Sequence, residues 1–67
     1  MRFDSTALRA ARVDHDLSQR QLADEAGVSV ATISRLEGGS ARNPRAGIIL
    51  RLARTLDLRV TTLIHDE

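Results

Sequence analysis

Residues 18–38 constrain the fold more than any other stretch, because their pattern indicates two short helices joined by a tight turn. Ser18 and Gln21 have the spacing of a capping box, in which the serine hydroxyl accepts a backbone N–H and the glutamine side chain reaches back. Gly27 follows where a chain that leaves a helix often takes positive φ, which glycine adopts without a Cβ penalty. A narrow stripe of apolar and small residues, against which a second helix can pack closely, consists of Leu22, Ala23 and Ala26.

The second helix of this stretch begins after Ser29, whose hydroxyl can cap it. Helical spacing directs Ile33 and Leu36 inward, and Val28 packs into the corner before the helix. The residues left facing outward are Ser29, Val30, Ala31, Ser34 and Arg35. The pattern therefore predicts a short helix that is supported from behind and presents small side chains and one arginine.

The 20-residue pattern that starts at Gln19 resembles the helix-turn-helix of the phage repressor and Cro proteins. The positions that match the family's apolar, small or glycine residues are Leu22, Ala23, Ala26, Gly27, Val28, Ile33 and Leu36. The resemblance extends from about Leu8 to Ile64, which is nearly the whole chain. It implies an all-α fold class, a compact five-helix lambda-repressor-like DNA-binding domain with the helix-turn-helix as helices two and three.

The flanking sequence predicts the other three helices. Caps at residues 4–6 favour a first helix that runs to about His15, and Asp16 is expected in the left-handed conformation where the family usually has glycine. Asn43 and Pro44 are typical of a helix start, with a capping residue followed by proline at the first helical position, and this fourth helix is expected to reach about Leu56. A short fifth helix is predicted over residues 60–64.

Length and composition limit the class of protein. A chain of 67 residues is expected to form one domain, residues 1–67, near the size at which a single core is just sufficient. It has no cysteine for a disulfide or a thiolate metal site, which fits a reducing cytosol, and with one aromatic residue its core must be aliphatic. No apolar run is long enough to span a bilayer. We therefore expect a cytoplasmic, nucleoid-associated protein.

The charge is distributed unevenly along the chain. Residues 1–34 carry a net charge of −1, residues 35–59 carry +4 and the remainder carries −2, so the total is +1. The basic segment begins inside the second motif helix, as expected of a surface that binds phosphates. The alternative is an arginine-rich surface that is merely solvated. The position of the basic segment beside the helix-turn-helix counts against this alternative.

The resemblance implies which residues read DNA bases, since in this family the second motif helix enters the major groove. The positions that match are Val30, Ala31, Ser34 and Arg35. Arg35 suits a bidentate contact to guanine, with a phosphate contact as the alternative. Val30 and Ala31 suit thymine methyl groups, although Val30 is equally consistent with an ordinary exposed valine.

Phosphate contacts are expected on both sides of these residues. At helix N-termini the backbone N–H groups and the helix dipole favour an anion, and the loop after the motif lies along the phosphate strand in similar proteins. The candidates are Ser18, Gln19, Ser29, Thr32, Gly38, Arg42, Asn43 and Arg45.

Arg12 and Glu37 match a pair that forms a partly buried ion pair between the first and third helices of similar repressors. Loss of one partner of a buried pair costs on the order of 3 kcal/mol, whereas an exposed pair is worth under about 1 kcal/mol. Arg12 is also a candidate for a phosphate contact.

Nothing in the sequence indicates catalysis or a bound cofactor. His15 and His65 are far apart and lack acidic residues at metal-ligand spacing, so we expect solvent-exposed histidines rather than a metal site. Ser18 and Ser29 are expected to cap helices rather than to act as nucleophiles. The adjacent Asp24 and Glu25 are more simply a solvated helix surface than a pair of catalytic carboxylates.

The leading hypothesis is a sequence-specific DNA-binding transcriptional regulator, a small bacterial or phage repressor that binds double-stranded DNA at a pseudo-palindromic operator. A homodimer formed through Leu58, Arg59 and the end of the fourth helix is one expectation, and a monomer is the alternative. The competing hypotheses are an antitoxin-like protein that binds a protein partner and regulates its own gene through DNA, and a phage excision or recombination factor.

Overall fold

The computed structural model describes residues 2–40 and 44–65, which form five α-helices and one short β-ribbon. The helices are α1 (Ser5–Asp14), α2 (Gln19–Ala26), α3 (Val30–Glu37), α4 (Ala46–Thr55) and α5 (Val60–Leu63). The strands are β1 (Arg2–Phe3) and β2 (Ile64–His65), which pair antiparallel. The mostly helical fold class expected from the sequence is therefore confirmed.

Side chains cap the first three helices. Asp4 accepts the N–H of Ala7 at the start of α1, and Ser29 accepts the N–H of Thr32 at the start of α3. The capping box at α2 is complete, because Ser18 accepts the N–H of Gln21 and the Gln21 side chain accepts the N–H of Ser18. These bonds satisfy donors that have no partner inside the helix, which explains where each helix begins.

The corner between α2 and α3 depends on Gly27, which has φ of 71°. A β-carbon at this position would be strained by the positive φ, whatever the space around it. The N–H of Val28 then bonds back to the carbonyl of Ala23 and turns the chain into α3. The prediction of a left-handed glycine at this turn is confirmed.

The core is aliphatic apart from one phenylalanine. Eight large side chains are fully buried. Seven of them come from the five helices and Leu56 follows α4 directly; the eight are Leu8, Leu22, Ile33, Leu36, Ile49, Leu52, Leu56 and Leu63. Ala23 and Ala26 are buried where α2 packs against α3 and α4. Within residues 2–40 and 44–65, every residue that is buried as a whole is apolar. The inner side of the helix-turn-helix is thus held by nondirectional apolar packing.

Two predicted boundaries are wrong. Helix α4 begins at Ala46, with Arg45 at the N-cap position and no side-chain cap, so Pro44 precedes the helix instead of occupying its first position. The position of Pro44 before the helix is consistent with its fixed φ, which suits extended backbone. The capping role expected for Asn43 lies outside the described residues.

The fifth helix ends one residue early, at Leu63, because Ile64 takes extended backbone with φ of −129° and pairs with Phe3. This ribbon was not predicted from the sequence. It brings the two ends of the described chain together, and the N–H of Asp4 donates to the carbonyl of Leu63 at 2.7 Å beside it. None of the helices in residues 2–40 and 44–65 is long and apolar enough to cross a membrane.

Candidate nucleic-acid interface

Helix α3 has one buried side and one exposed side. Ile33 and Leu36 are in the core, at 0% and 1% exposure. The four residues expected to read bases, Val30, Ala31, Ser34 and Arg35, are all exposed. Val30 is among the few large apolar residues of the described chain that remain open to solvent, at 47% exposure. An exposed convex helix of this kind has the shape that a DNA major groove admits.

The start of α3 is organised by two hydroxyl groups. Ser29 Oγ accepts the N–H of Thr32 at 3.1 Å and lies 2.8 Å from Thr32 Oγ1. Both groups were expected to contact phosphates, and both already have hydrogen-bond partners within the protein. A hydroxyl can accept and donate at once, so these bonds leave capacity for a ligand.

The expected ion pair between Arg12 and Glu37 is present and joins α1 to α3. Arg12 Nε donates to Glu37 Oε2 at 2.6 Å, and Arg12 Nη2 donates to Glu37 Oε1 at 3.0 Å. The two side chains are 13% and 4% exposed, so the pair is largely removed from water. The hydrogen bonds to Glu37 raise the pKa of Arg12 above its ordinary value. A bidentate pair of this geometry fixes both partners in place.

Arg12 has a third contact, which reaches the loop before α2. Its Nη1 atom donates to the carbonyl of Leu17 at 2.8 Å. Glu37 likewise has a further partner, because Gln19 Nε2 donates to Glu37 Oε1 at 3.3 Å. Three helices therefore meet at this one pair of charges.

A shallow depression of about 260 Å³ lies at this meeting point. It brings together residues that the sequence assigned to separate roles, namely the ion pair, the base-reading Ser34 and the phosphate candidates Gln19 and Gly38. Arg9 lines the same depression and was not predicted. Its signal in the sequence is its spacing on α1, three residues before Arg12, which places both on adjacent turns.

A second groove, of about 350 Å³, lies between α3 and the start of α4. Arg35 and Arg45 both line it, together with the apolar residues Leu36, Pro44 and Ile48. Arg45 is exposed, as expected of a phosphate contact. The remaining phosphate candidates, Arg42 and Asn43, lie outside the described residues. Two cationic side chains that converge on one groove favour an anionic partner.

The turn of the helix-turn-helix is also held from α4. Arg51 Nη1 donates to the carbonyl of Gly27 at 3.0 Å, which is a contact that the sequence did not predict. A positive charge at the C-terminal end of α2 is favourable for the helix dipole. The contact joins residues 24 positions apart, so no local pattern could reveal it.

The two histidines are exposed, but each has a partner. His15 Nε2 donates to the carbonyl of Leu56 at 2.9 Å. His65 Nε2 lies 2.7 Å from Asp4 Oδ2, a contact that sequence spacing did not indicate, because the β-ribbon brings the two ends of the described chain together. Across residues 2–40 and 44–65, no three metal-ligating side chains come together.

The chain is similar in sequence and in fold to known regulatory proteins. The chain is 40% identical over 58 residues to the HTH-type transcriptional repressor RghR of Bacillus subtilis (strain 168), and the match covers 87% of this chain but only 43% of RghR. The fold is similar to that of the restriction-modification controller protein C.AhdI from Aeromonas hydrophila. The TM-score is 0.82 and the identity is 32%, over 90% of this chain and 89% of that protein.

The fold is also similar to that found in two complexes of SinR, a master regulator for biofilm formation. In the complex with DNA the TM-score is 0.87 at 26% identity, and 91% of this chain and all of the SinR chain are covered. In the complex with SinI the TM-score is again 0.87 at 26% identity, over 92% of this chain and 60% of that one. The helix-turn-helix family itself matches residues 8–63, and this chain belongs to that family.

Proposed function

We propose that this protein is a sequence-specific DNA-binding transcriptional regulator that acts as a repressor, without catalytic activity. The observation that carries the proposal is α3, whose inner side is buried in the core while Val30, Ala31, Ser34 and Arg35 are exposed together. The relatives support it, since RghR is named a repressor and SinR has been crystallised with DNA. A regulator of this kind acts in the cytoplasm, on the nucleoid.

Arg35 is the residue that we assign to direct base recognition. Its guanidinium can donate two parallel hydrogen bonds to guanine O6 and N7, the commonest specific contact in the major groove. Val30 and Ala31 provide methyl groups that fit against thymine, and the hydroxyl of Ser34 can donate or accept. Each good bidentate contact discriminates against the wrong base by about 1–3 kcal/mol.

The phosphate contacts fix the register of the helix and provide affinity that depends on salt. Because the capping box occupies the N–H of Gln21, the N–H groups of Gln19 and Arg20 are the ones that lack a partner within α2. These groups and the helix dipole suit a phosphate oxygen. On the other side of α3, Arg45 provides a charge next to the Arg35 groove.

We further propose that two copies bind a pseudo-palindromic operator, with recognition helices about 34 Å apart. The surface assigned to the dimer is Leu58, Arg59 and the end of α4. Leu58 is half-buried and Arg59 is exposed. An apolar contact beside charged residues is typical of a modest interface between copies.

Selection of bound sequences from a random duplex library tests the function. We expect a two-fold symmetric consensus, and we expect Arg35→Ala to relax it at one symmetric position. Arg45→Ala is the matched control, because it removes the same charge from an exposed site in the groove that Arg35 also lines and should leave the consensus unchanged. Recovery of no consensus by the unmodified protein would contradict the proposal.

A second candidate is a DNA-binding regulator that is controlled by a protein partner, as an antitoxin is. The observation that favours it is the structural similarity to SinR in its complex with SinI. A stoichiometric complex with the product of a neighbouring gene that releases the protein from its operator would support this candidate. Full operator binding in the presence of that product would argue against it.

A further inference from the structure

The carboxylate of Glu37 is shared between two side chains. Its Oε2 atom accepts from Arg12 Nε at 2.6 Å, while its Oε1 atom accepts from Arg12 Nη2 at 3.0 Å and from Gln19 Nε2 at 3.3 Å. The side chain of Glu37 is only 4% exposed, so it is too enclosed to serve as a ligand-binding group itself. Its contacts instead hold residues of α1 and α2 against α3.

The contact with Glu37 determines how the Gln19 carboxamide is turned. An ionised carboxylate only accepts hydrogen bonds, so the NH₂ group of Gln19 must face it and the amide oxygen must point elsewhere. One amide N–H is used in this bond. The second N–H remains available to an acceptor outside the protein.

The surroundings of Gln19 suit an anionic acceptor. Gln19 is the first residue of α2, where the helix dipole is positive, and it lines the depression that it shares with Arg9 and Ser34. The negative charge of Glu37 does not oppose an anion here, because Arg12 neutralises it at hydrogen-bond distance. Arg12 also holds the carbonyl of Leu17, which fixes the loop directly before α2.

We propose that Glu37 is a positioning residue for DNA binding, which orients the Gln19 carboxamide so that its second N–H donates to a phosphate oxygen of the duplex. This inference rests on the proposed function. Glu37 itself does not touch the DNA. Its substitution therefore removes one particular phosphate contact, the one made by Gln19.

Phosphate-ethylation interference on the selected operator tests the inference, because ethylation blocks contacts at individual phosphates. With the unmodified protein, we expect one phosphate per half-site at which ethylation interferes through Gln19. Both Gln19→Ala and Glu37→Gln should lose interference at that same phosphate and retain it elsewhere. In a double-mutant cycle, Glu37→Gln should weaken binding about tenfold in the otherwise unmodified protein but only about threefold in the Gln19→Ala background.

Gln21→Ala is the matched control, since Gln21 is a glutamine of the same helix whose amide oxygen is used in the capping box and does not contact Glu37. Its interference pattern should match that of the unmodified protein, and its effect should add to that of Glu37→Gln. A purely structural Glu37 would weaken binding while the pattern of interfering phosphates stayed the same, and that result would overturn the inference.

The Gln19→Ala variant keeps the inference testable if Glu37→Gln fails to fold. An unchanged interference pattern in Gln19→Ala would show that Gln19 contacts no phosphate and would overturn the inference alone. Failure of the proposed function has a different signature, because the unmodified protein would then select no duplex sequence. Failure of the inference alone leaves sequence selection intact and changes only the interference result.

Discussion

Asp16 and Asp57 end α1 and α4 in the same way, each in the left-handed conformation, with φ of 56° and 54°. In both cases the N–H of the aspartate donates to the carbonyl of the residue three positions earlier, and the N–H of the following leucine donates to the carbonyl of the residue five positions before that leucine. This is the Schellman arrangement, in which glycine is the usual residue because it has no β-carbon to strain. The protein thus uses aspartate twice where glycine is the more favourable choice.

Replacement of either aspartate by glycine should therefore stabilise the fold. We expect Asp16→Gly and Asp57→Gly each to raise the free energy of unfolding by about 0.5–1 kcal/mol, because the left-handed strain and an unfavourable negative charge at a helix C-terminus are both removed. Urea denaturation measures the change. Ala10→Gly, at an exposed site inside α1, should instead lower the free energy of unfolding by about 1 kcal/mol. A loss of stability in the first two variants would contradict this account.

The ion pair between Arg12 and Glu37 leads to a second prediction. Arg12→Met should lower the free energy of unfolding by about 3 kcal/mol or more, since it leaves a nearly buried carboxylate without its partner. The double variant Arg12→Met with Glu37→Leu should recover much of that loss, because no unpaired charge remains. Arg9→Ala removes an exposed arginine from the same helix and should change stability by under about 0.5 kcal/mol. Equal losses in all three variants would show that the pairing itself is unimportant.

The pH dependence of stability should include a contribution from Asp4. The N–H of Ala7 donates to Asp4 Oδ1 at 2.9 Å, and His65 lies 2.7 Å from Oδ2. The bond from Ala7, followed by the contact with His65, holds the pKa of Asp4 below its ordinary value of 3.8. Because the pKa is lower in the folded state, this stabilisation is present above pH 3.8 and is lost as the pH falls through the folded pKa.

Two variants separate the effect of the Asp4 charge from the effect of Asp4 as the N-cap of α1. Asp4→Asn keeps an acceptor for the Ala7 N–H but does not titrate, so its free energy of unfolding should fall less steeply in acid than that of the unmodified protein. Asp4→Ala loses the cap and should be destabilised by about 1 kcal/mol at neutral pH. Denaturation curves collected over the acidic range measure both effects. Identical pH profiles for Asp4→Asn and the unmodified protein would contradict the assignment.

Local patterns in the sequence predicted the helix-turn-helix well. The caps at Ser18 and Ser29 and the left-handed Gly27 are formed by bonds that span only a few residues, so residue type and spacing are sufficient to predict them. The left-handed conformation of Asp16 follows from the family resemblance, because similar proteins usually have glycine near this position and aspartate tolerates the conformation better than most residues.

The features that the sequence did not predict are nonlocal. The β-ribbon has strands of two residues, too short to show alternation, and its partners Phe3 and Ile64 lie at opposite ends of the chain. The bonds from Gln19 to Glu37 and from Arg51 to Gly27 join helices whose relative placement is set by the core. At α4, the motif of asparagine and proline gave the wrong start because both residues are equally typical of a loop.

Arg45 provides the last prediction, which separates phosphate contact from base contact. It is exposed and shares the groove between α3 and α4 with Arg35. If Arg45 contacts a phosphate, Arg45→Ala should weaken binding to all sequences alike and reduce the slope of log K against log salt by about 1 per protomer, without a change in consensus. Arg35→Ala should instead change the consensus at one symmetric position. The two roles are assigned the wrong way round if Arg45→Ala alters the preferred sequence and Arg35→Ala alters only the salt dependence.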